Sequence, residues 1–574
     1  MNWNIKNDEE NLEKIDFLQD QSFSLHLSVK KILLSRGIDS AEKAKSFLFP
    51  EYEEGILDPF LFVDMKKVVS RIKDANEKGE KVLVFGDYDA DGITATTILK
   101  ETLSDLGVDT SIYIPDKEKE GYGLNKDVIL KSKNHGFSLM ITVDCGISNF
   151  EEVEYANSIG VDVIVTDHHH IPKKLPNAVA LINPKIKDSG YPFDDLAGVG
   201  VAFKVAEAIY EKLMPQKKEQ VKWLLDLVAI GTVADCVNLV EENRIIVKYG
   251  LLVLSKTRRE GLQELFKTGR ILVDENNIPD AQKISFQIAP RINAASRMSH
   301  AKLAYQLISE KDRVQARLLA LEIEEQNNQR RKVTEQVVKD VEKIISEEFQ
   351  GKKFIFAASE HFPMGITGLV AGRVAGKLSK PTGIVTKGEK ESKGSFRSIP
   401  QLNIIDAIEK CSKWLEKFGG HAQAAGISIK NENIDNFYKD LNTVIEKELE
   451  GKDLKKVIEI DEKVLPSQLD FKLIDDIDKM RPFGMGNPEP VLLMSDLIIQ
   501  ELKWVGSGEK HLKLFLRPND NSPKIFEAIG FNLNKDFGHL KQGDEVDLVF
   551  NIQKDEWNGN KKMQLRIVDL KACS

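Results

Sequence analysis

Asp87, Asp89 and Asp91 alternate with other residues in the stretch KVLVFGDYDADGITATTIL, Lys81 to Leu99. Asp-x-Asp-x-Asp-Gly is the first half of an EF-hand calcium loop, which also needs a bidentate Glu at loop position 12 and a helix on either side. Counted from Asp87, position 12 is Ile98, which ligates nothing. The residues before the loop, Val82-Leu83-Val84-Phe85, read as a buried strand. The calcium reading fails on both counts. Carboxylates crowded at the end of a strand still repel one another, so a bound cation remains the natural explanation.

Other apolar runs end in the same residue types. SLMITVDCGIS leaves Asp144 at the tip of a strand, and VDVIVTDHHH leaves Asp167, His168, His169 and His170 at the next. LLDLVAIGTVADCVNL ends at Asp235, which is expected to be a further strand end. Taken singly, an Asp after a strand is more often a cap or turn residue. Taken together they converge, because parallel strands end side by side at one crevice. An oxygen-rich set with imidazole and no thiolate suits Mn²⁺ or Mg²⁺ rather than structural zinc. More carboxylates than one ion needs implies two ions sharing a carboxylate, an arrangement that activates water and holds both oxygens of a phosphoryl displacement. The residues alone point to metal-dependent phosphoester hydrolysis.

The elements around them are consistent with that placement. Strand and helix patterns alternate from about residue 66 to 240, which predicts a doubly wound, mostly parallel α/β sheet. A charged stretch from Asp312 to Phe349 has helical apolar spacing and reads as a connecting helix or helix pair. A second α/β segment starts at KKFIFAAS, and the last 120 or so residues carry five or so short alternating runs. Those runs predict a small β-barrel of the OB-fold kind. The expected domains are an N-terminal helical lead-in over 1–65, a catalytic α/β domain over 66–300, a connecting helix over 301–350, a second α/β domain over 351–452 and the barrel over 453–574.

At 574 residues the chain is too long for one core. No apolar run approaches the roughly 18 to 20 residues that span a bilayer. MNWNIKNDEENLEKIDF has neither the basic nor the apolar part of a signal peptide, and the four cysteines are scattered, so a cytoplasmic setting is expected. A net charge of −9 does not advertise a nucleic-acid partner, but an acidic cluster can mask a local basic groove.

DYDADG, VDCGIS, TDHHHIP and GTVADCVNL, in that order, resemble the four motifs of the DHH phosphoesterase superfamily. RINAASRM, GSFRSIP, FGGHAQAAG and RPFGMGNPEP are similar to segments of its RecJ branch of single-strand-specific exonucleases. The resemblance runs from about residue 30 to the C-terminus. It implies Asp89 and Asp91 as metal ligands, Asp144 as the bridging carboxylate, and His168 and Asp235 as ligands of the second ion. Asp87 would ligate or orient water, and His169 would face the scissile phosphate or steady a carboxylate. His170 extends the motif by one histidine and is given no role.

The second α/β segment resembles the DHHA1 domain. There the resemblance implies a terminal-phosphate pocket made by Ser395, Arg397, Gly419, Gly420 and His421, with Arg297 from RINAASRM. Taken alone, GGHAQAAG is a tight turn before a strand and Arg297 a partner for an acidic neighbour. Lys117 stands where the family pattern has Arg, which puts a bidentate phosphate contact in doubt. Tyr122 reads as a packing residue.

The activity implied is 5′→3′ degradation of single-stranded DNA to mononucleotides with two Mn²⁺ or Mg²⁺ ions, in repair and recombination. Single-stranded DNA, single-strand-binding protein and a RecQ-type helicase are the partners the resemblance implies, and no membrane is expected. In the barrel, Trp504, Lys510, Lys513 and Phe515 are candidates for strand binding. Two alternatives are a relative acting on oligoribonucleotides or cyclic dinucleotides and a non-catalytic replication scaffold. The chain's length counts against the first, and the full set of carboxylates against the second.

Overall fold

The computed structural model describes residues 1–6, 24–116, 120–121, 123–349, 351–506, 508–520, 523–533, 537–557 and 560–573. Lys117 and Tyr122 lie outside the described residues. The chain forms two compact units: Leu57–Val237 with Ile246–Lys455, and Met1–Ile56 with Asn238–Ile245 and Lys456–Ser574. Among the described residues no helix is long and apolar enough to cross a membrane.

The larger unit holds two sheets. The first is parallel throughout, in the order β2-β1-β3-β4-β5, with β1 Lys81–Phe85, β2 Thr110–Tyr113, β3 Phe137–Val143, β4 Asp162–Thr166 and β5 Ala180–Ile182. Val82 to Phe85 are all buried, as expected for a central strand covered on both faces. Helix α1, Ala90–Leu106, leaves the end of β1 and packs against α2, Gly198–Leu213, and α3, Leu225–Ala234.

Helix α3 corrects one expectation. The apolar run before Asp235 is a helix, and Asp235 is its C-cap rather than a strand end. Every residue of α3 except Ala234 is buried, so the run carries neither a period of 2 nor one of 3.6 to tell the two apart.

Helix α4, Ala289–Met298, leads toward α5, Arg313–Glu348, a single helix of 36 residues. Asp312 caps α5 by accepting from the Gln315 amide at 2.9 Å. The second sheet runs β9-β10-β8-β7-β6, with β6 Ile355–Ser359, β7 Thr382–Thr386, β8 Glu391–Arg397, β9 Leu415–His421 and β10 Ala424–Lys430. Helix α6, Thr367–Leu378, crosses between the parallel pair β6 and β7, and the other three strands are antiparallel.

The smaller unit is built on a closed five-stranded barrel. Its strands are β11 Leu492–Val505, β12 His511–Pro518, β13 Phe526–Gly530, β14 Glu545–Trp557 and β15 Asn560–Ala572, with β11 pairing both β12 and β14. Three are longer than the short strands expected, at 14, 13 and 13 residues. Bulges at Met494/Leu497 and Ile499/Glu501 bend β11 so that it can pair on both sides and leave no open edge. Leu25, Val29, Ile32, Leu33 and Leu48 belong to the same buried core as the barrel residues. The lead-in also contributes a strand, Asn2–Ile5, paired in parallel with Val457–Ile460.

Candidate metal centre and phosphate pocket

The loop after β1 is drawn tightly over the first turn of α1. Asp89 caps that helix, its Oδ1 accepting from the amides of Asp91 at 2.9 Å and Gly92 at 3.1 Å. A Cβ on Gly92 would lie 2.7 Å from the Asp87 carbonyl, so only glycine lets the loop close. Asp91 is buried and accepts from the amides of Gly198 at 2.7 Å and Val199 at 2.8 Å at the start of α2. Asp144 follows β3 with φ of 59°, a left-handed conformation that Asp tolerates better than most residues. Its Oδ1 lies 3.1 Å from His168 Nε2.

His168 Nε2 also stands 3.6 Å from Asp235 Oδ2 and 3.9 Å from Asp91 Oδ2. Three overlapping groups result, each with its potential ligand atoms within 4.8 Å of one another: Asp87, Asp89 and Asp144; Asp91, His168 and Asp235; Asp144, His168 and His169. The expected residues come together, and Asp144 belongs to two of the groups.

The electrostatics favour a cation. Burial, followed by the charge of Asp89, pushes the Asp91 carboxyl up to about 7. Burial and the charges of Asp91 and Asp89 push Asp235 up to about 9, and the same causes hold Asp144 well above the usual carboxylate range. Burial pulls the His168 imidazole down to about 3, which keeps it neutral and able to ligate. Buried oxygens that resist ionisation beside a neutral imidazole fit hard or borderline divalent ions.

Asp167, which stands with the histidine motif but has no role in the sequence reading, holds His169. Its Oδ1 accepts from His169 Nδ1 at 2.8 Å and from the amides of His168 and His169 at 2.7 and 3.1 Å; its Oδ2 accepts from the Ile147 amide at 2.9 Å. Burial alone would lower the His169 imidazole, but the bond to Asp167 and its charge raise it above the usual value. Two more positioning groups have no role in the sequence reading, Lys185 outside every quoted motif and Asn293 within RINAASRM. Lys185 Nζ donates to the His168 carbonyl at 2.5 Å, and Asn293 Oδ1 accepts from the Ala90 amide at 2.8 Å.

The second sheet supplies the cationic half. Ser395 Oγ is 3.1 Å from Thr367 Oγ1 at the start of α6. Arg397 Nη1 donates to the Phe396 carbonyl at 2.9 Å, and its Nη2 is 3.1 Å from where a Cβ on Gly368 would lie. Arg297 Nη1 donates to the Gly365 carbonyl at 3.0 Å, which brings α4 to the turn before α6. Gly420 is the glycine the hairpin requires, with φ of 142° and room for no Cβ beside the Ala424 carbonyl; Gly419 faces open space. His421, at the end of β9, places its ring 5.0 Å from that of His170. The extra histidine thus meets the second α/β domain.

In the barrel, Trp504 lies on β11, with Lys513 and Phe515 on β12. Lys513 Nζ is 5.4 Å from the Phe515 ring centre and 2.7 Å from Glu527.

Known families match the same three regions. Residues 81–232 match the DHH family N-terminal domain, 351–447 the DHHA1 domain and 460–569 the RecJ OB domain. The chain is 35% identical to the single-stranded-DNA-specific exonuclease RecJ of Bacillus subtilis, over 99% of this chain and 70% of that protein. It is 30% identical to RecJ of Escherichia coli, over 96% and 97% of the two chains. The chain belongs to the RecJ family. Among solved RecJ structures, the Thermus thermophilus protein in complex with Mn²⁺ superposes with a TM-score of 0.84 at 26% identity, covering 100% of this chain and 80% of that one. The DHH match covers Asp87, Asp89, Asp91, Asp144, His168 and His169 and ends just before Asp235, and the DHHA1 match covers Ser395, Arg397 and His421.

Proposed function

We propose that this chain degrades single-stranded DNA from the 5′ end toward the 3′ end, releasing mononucleotides, with two Mn²⁺ or Mg²⁺ ions. The observation that carries the reading is the meeting, in one unit, of a buried carboxylate–imidazole cluster with guanidinium groups suited to phosphate. Asp87, Asp89, Asp91, Asp144, His168 and Asp235 would hold the ions, with Asp144 between them. Bound ions of this kind lower the pKa of a water and offset charge on phosphoryl oxygens. His169, steadied by Asp167, would face the scissile phosphate. Arg297, Ser395, Arg397 and His421 would grip the strand's terminal phosphate and place its first phosphodiester over the carboxylates. Gly419 and Gly420 would let the β9 backbone approach it.

In this reading the segment from 66 to 300 carries the chemistry, 351–452 sets the end of the strand and 453–574 binds the strand beyond. The names of the Bacillus and Escherichia relatives support the substrate, and the Mn²⁺ complex of the Thermus relative supports the metal. A cytoplasmic setting fits the four free cysteines. Single-strand-binding protein and a RecQ-type helicase complete the proposal, since a single-strand nuclease needs duplex to be opened ahead of it.

Polarity is the test. A charge-assisted contact to phosphate is worth on the order of 1.5 to 3 kcal/mol. Arg397→Ala is therefore expected to cost roughly ten- to a hundredfold in kcat/KM on 5′-phosphorylated strands and much less on 5′-hydroxyl strands. Release of label from each end of both substrates measures this. Equal losses on the two, or label leaving first from the 3′ end, would remove this pocket from any role in direction.

A further inference from the structure

Arg330 occupies a position on α5 where the packing pattern asks for an apolar residue. The buried residues of this helix are Ala316, Ala320, Ile323, Asn327, Thr334, Val337 and Val341. Their alternating spacing of four and three leaves one gap, at 330. Around that gap the stripe turns polar, with Asn327, Arg330 and Thr334 between its two apolar ends. Helix α5 packs there among other elements of the same unit, including α4 and α6.

The Arg330 guanidinium has few partners in this setting. Its Nη2 donates to Asn327 Oδ1 at 2.8 Å, while its Nε is buried with no hydrogen-bond partner. The charges that act on it most are those of Arg297 on α4, Arg373 on α6, Arg331 and Arg291; after burial, these like charges pull it down to about 10. Arg291 is neutralised by Glu324 at 2.6 Å. Elsewhere in the unit, Arg71 and Arg259 likewise hold carboxylates at 2.6 and 2.5 Å. Among the described residues Arg297, Arg330 and Arg373 form no such ion pair. Arg297 and Arg330 are half-buried and Arg373 is exposed; guanidinium groups set near one another without carboxylates repel, and an anion is the group that relieves this. Planar forks of donors fit phosphate oxygens in particular. The cluster also continues from the pocket above, since Arg297 feels the charges of both Asp89 and Arg397.

We propose that Arg330 and Arg373, continuing from Arg297, form a second phosphate subsite on α5 and α6 that takes a backbone phosphate of the bound strand. The inference rests on the single-strand exonuclease reading. It adds Arg330, on the connecting helix between the matched regions, and Arg373, which lies inside the DHHA1 match but outside every motif quoted above.

The test is strand binding by the full-length protein with Mn²⁺ present, using fluorescent phosphorothioate-linked strands that resist hydrolysis. Arg330→Gln and Arg373→Gln are each expected to weaken binding about tenfold at low salt, to the same extent for different base sequences. Each should lower the slope of log affinity against log salt by about one, as for loss of one phosphate contact. Arg330→Lys should keep the slope. The melting temperature of ligand-free Arg330→Gln should equal or exceed that of the unsubstituted protein, because a repelling charge has gone. A lower melting temperature with an unchanged salt slope would make Arg330 a structural residue and overturn the subsite. So would loss of inorganic-phosphate or mononucleotide binding with strand binding intact, which would assign the cluster to a free anion. If the unsubstituted protein neither binds nor degrades single strands, the function reading itself fails; if it does both and the variants match it, only the subsite fails.

Discussion

At the scale of single residues, each carboxylate in the cluster makes the next more costly to ionise. Asp91 is raised to about 7 and Asp235 to about 9 from an ordinary 3.8. In the folded, metal-free protein these groups therefore bind protons more tightly than in the unfolded chain. By linkage, the contribution of these two groups to the metal-free fold is greatest in acid and is lost as pH rises from near 4 through about 9. Thermal melts in a chelator should show the melting temperature falling across that window. Added Mn²⁺ should remove most of the fall, and Asp235→Asn should reduce it in the chelated protein. A melting temperature that does not respond to pH without metal would mean that the cluster relaxes and that its repulsion is not what a cation relieves. Asp167 shows a different residue-scale lesson. Its type and place were visible beside the histidines, but only the chain's turn after β4 brings four donors onto its two oxygens.

At the scale of elements, the site depends on helix ends brought close to strand ends. The first amides of α2 hold Asp91, and a Cβ on Gly198 would stand 2.6 Å from Asp144 Oδ1. Gly198→Ala must push α2 away from both carboxylates. Overpacking of this kind costs about 1–3 kcal/mol in stability. The expected result is a protein that still folds but needs more Mn²⁺ for half-maximal activity and turns over more slowly. Gly200→Ala is the comparison, since its Cβ would meet only the Leu196 side chain at 3.3 Å or more, and it should be close to neutral. Metal titrations of the two variants decide the matter, and equal behaviour would remove the role given to the α2 terminus. Asp235 belongs at this scale too. The run before it was misread as a strand because burial on nearly all sides erases periodicity, while the residue type at its end was read from the same letters.

At the scale of the whole molecule, the barrel is not a detachable tail. Leu25, Val29, Ile32 and Leu33, far earlier in the chain, share one buried core with Leu473, Ile477 and the barrel strands. Deleting residues from 456 onward should expose that core, giving a protein that aggregates or melts early. Removing 1–56 together with 456–574 should leave a better-behaved fragment, one that loses affinity for long strands more than it loses hydrolysis of a very short oligonucleotide. Melting curves and binding of strands of graded length test both deletions; equal affinity for long strands would mean that the barrel does not bind DNA. The sequence by itself determined the alternation of strands and helices, the carboxylates and histidines at their ends, and the barrel's run of strands. These are local patterns of side-chain period and turn chemistry, which each segment carries alone. Only the tertiary structure decided that Asp144 belongs to two groups of potential ligands, that His170 meets His421, that Arg330 lies near the charges of other arginines, and that residues near the N-terminus complete the barrel's core. Those facts depend on how segments far apart in the chain pack together, and no local pattern encodes them.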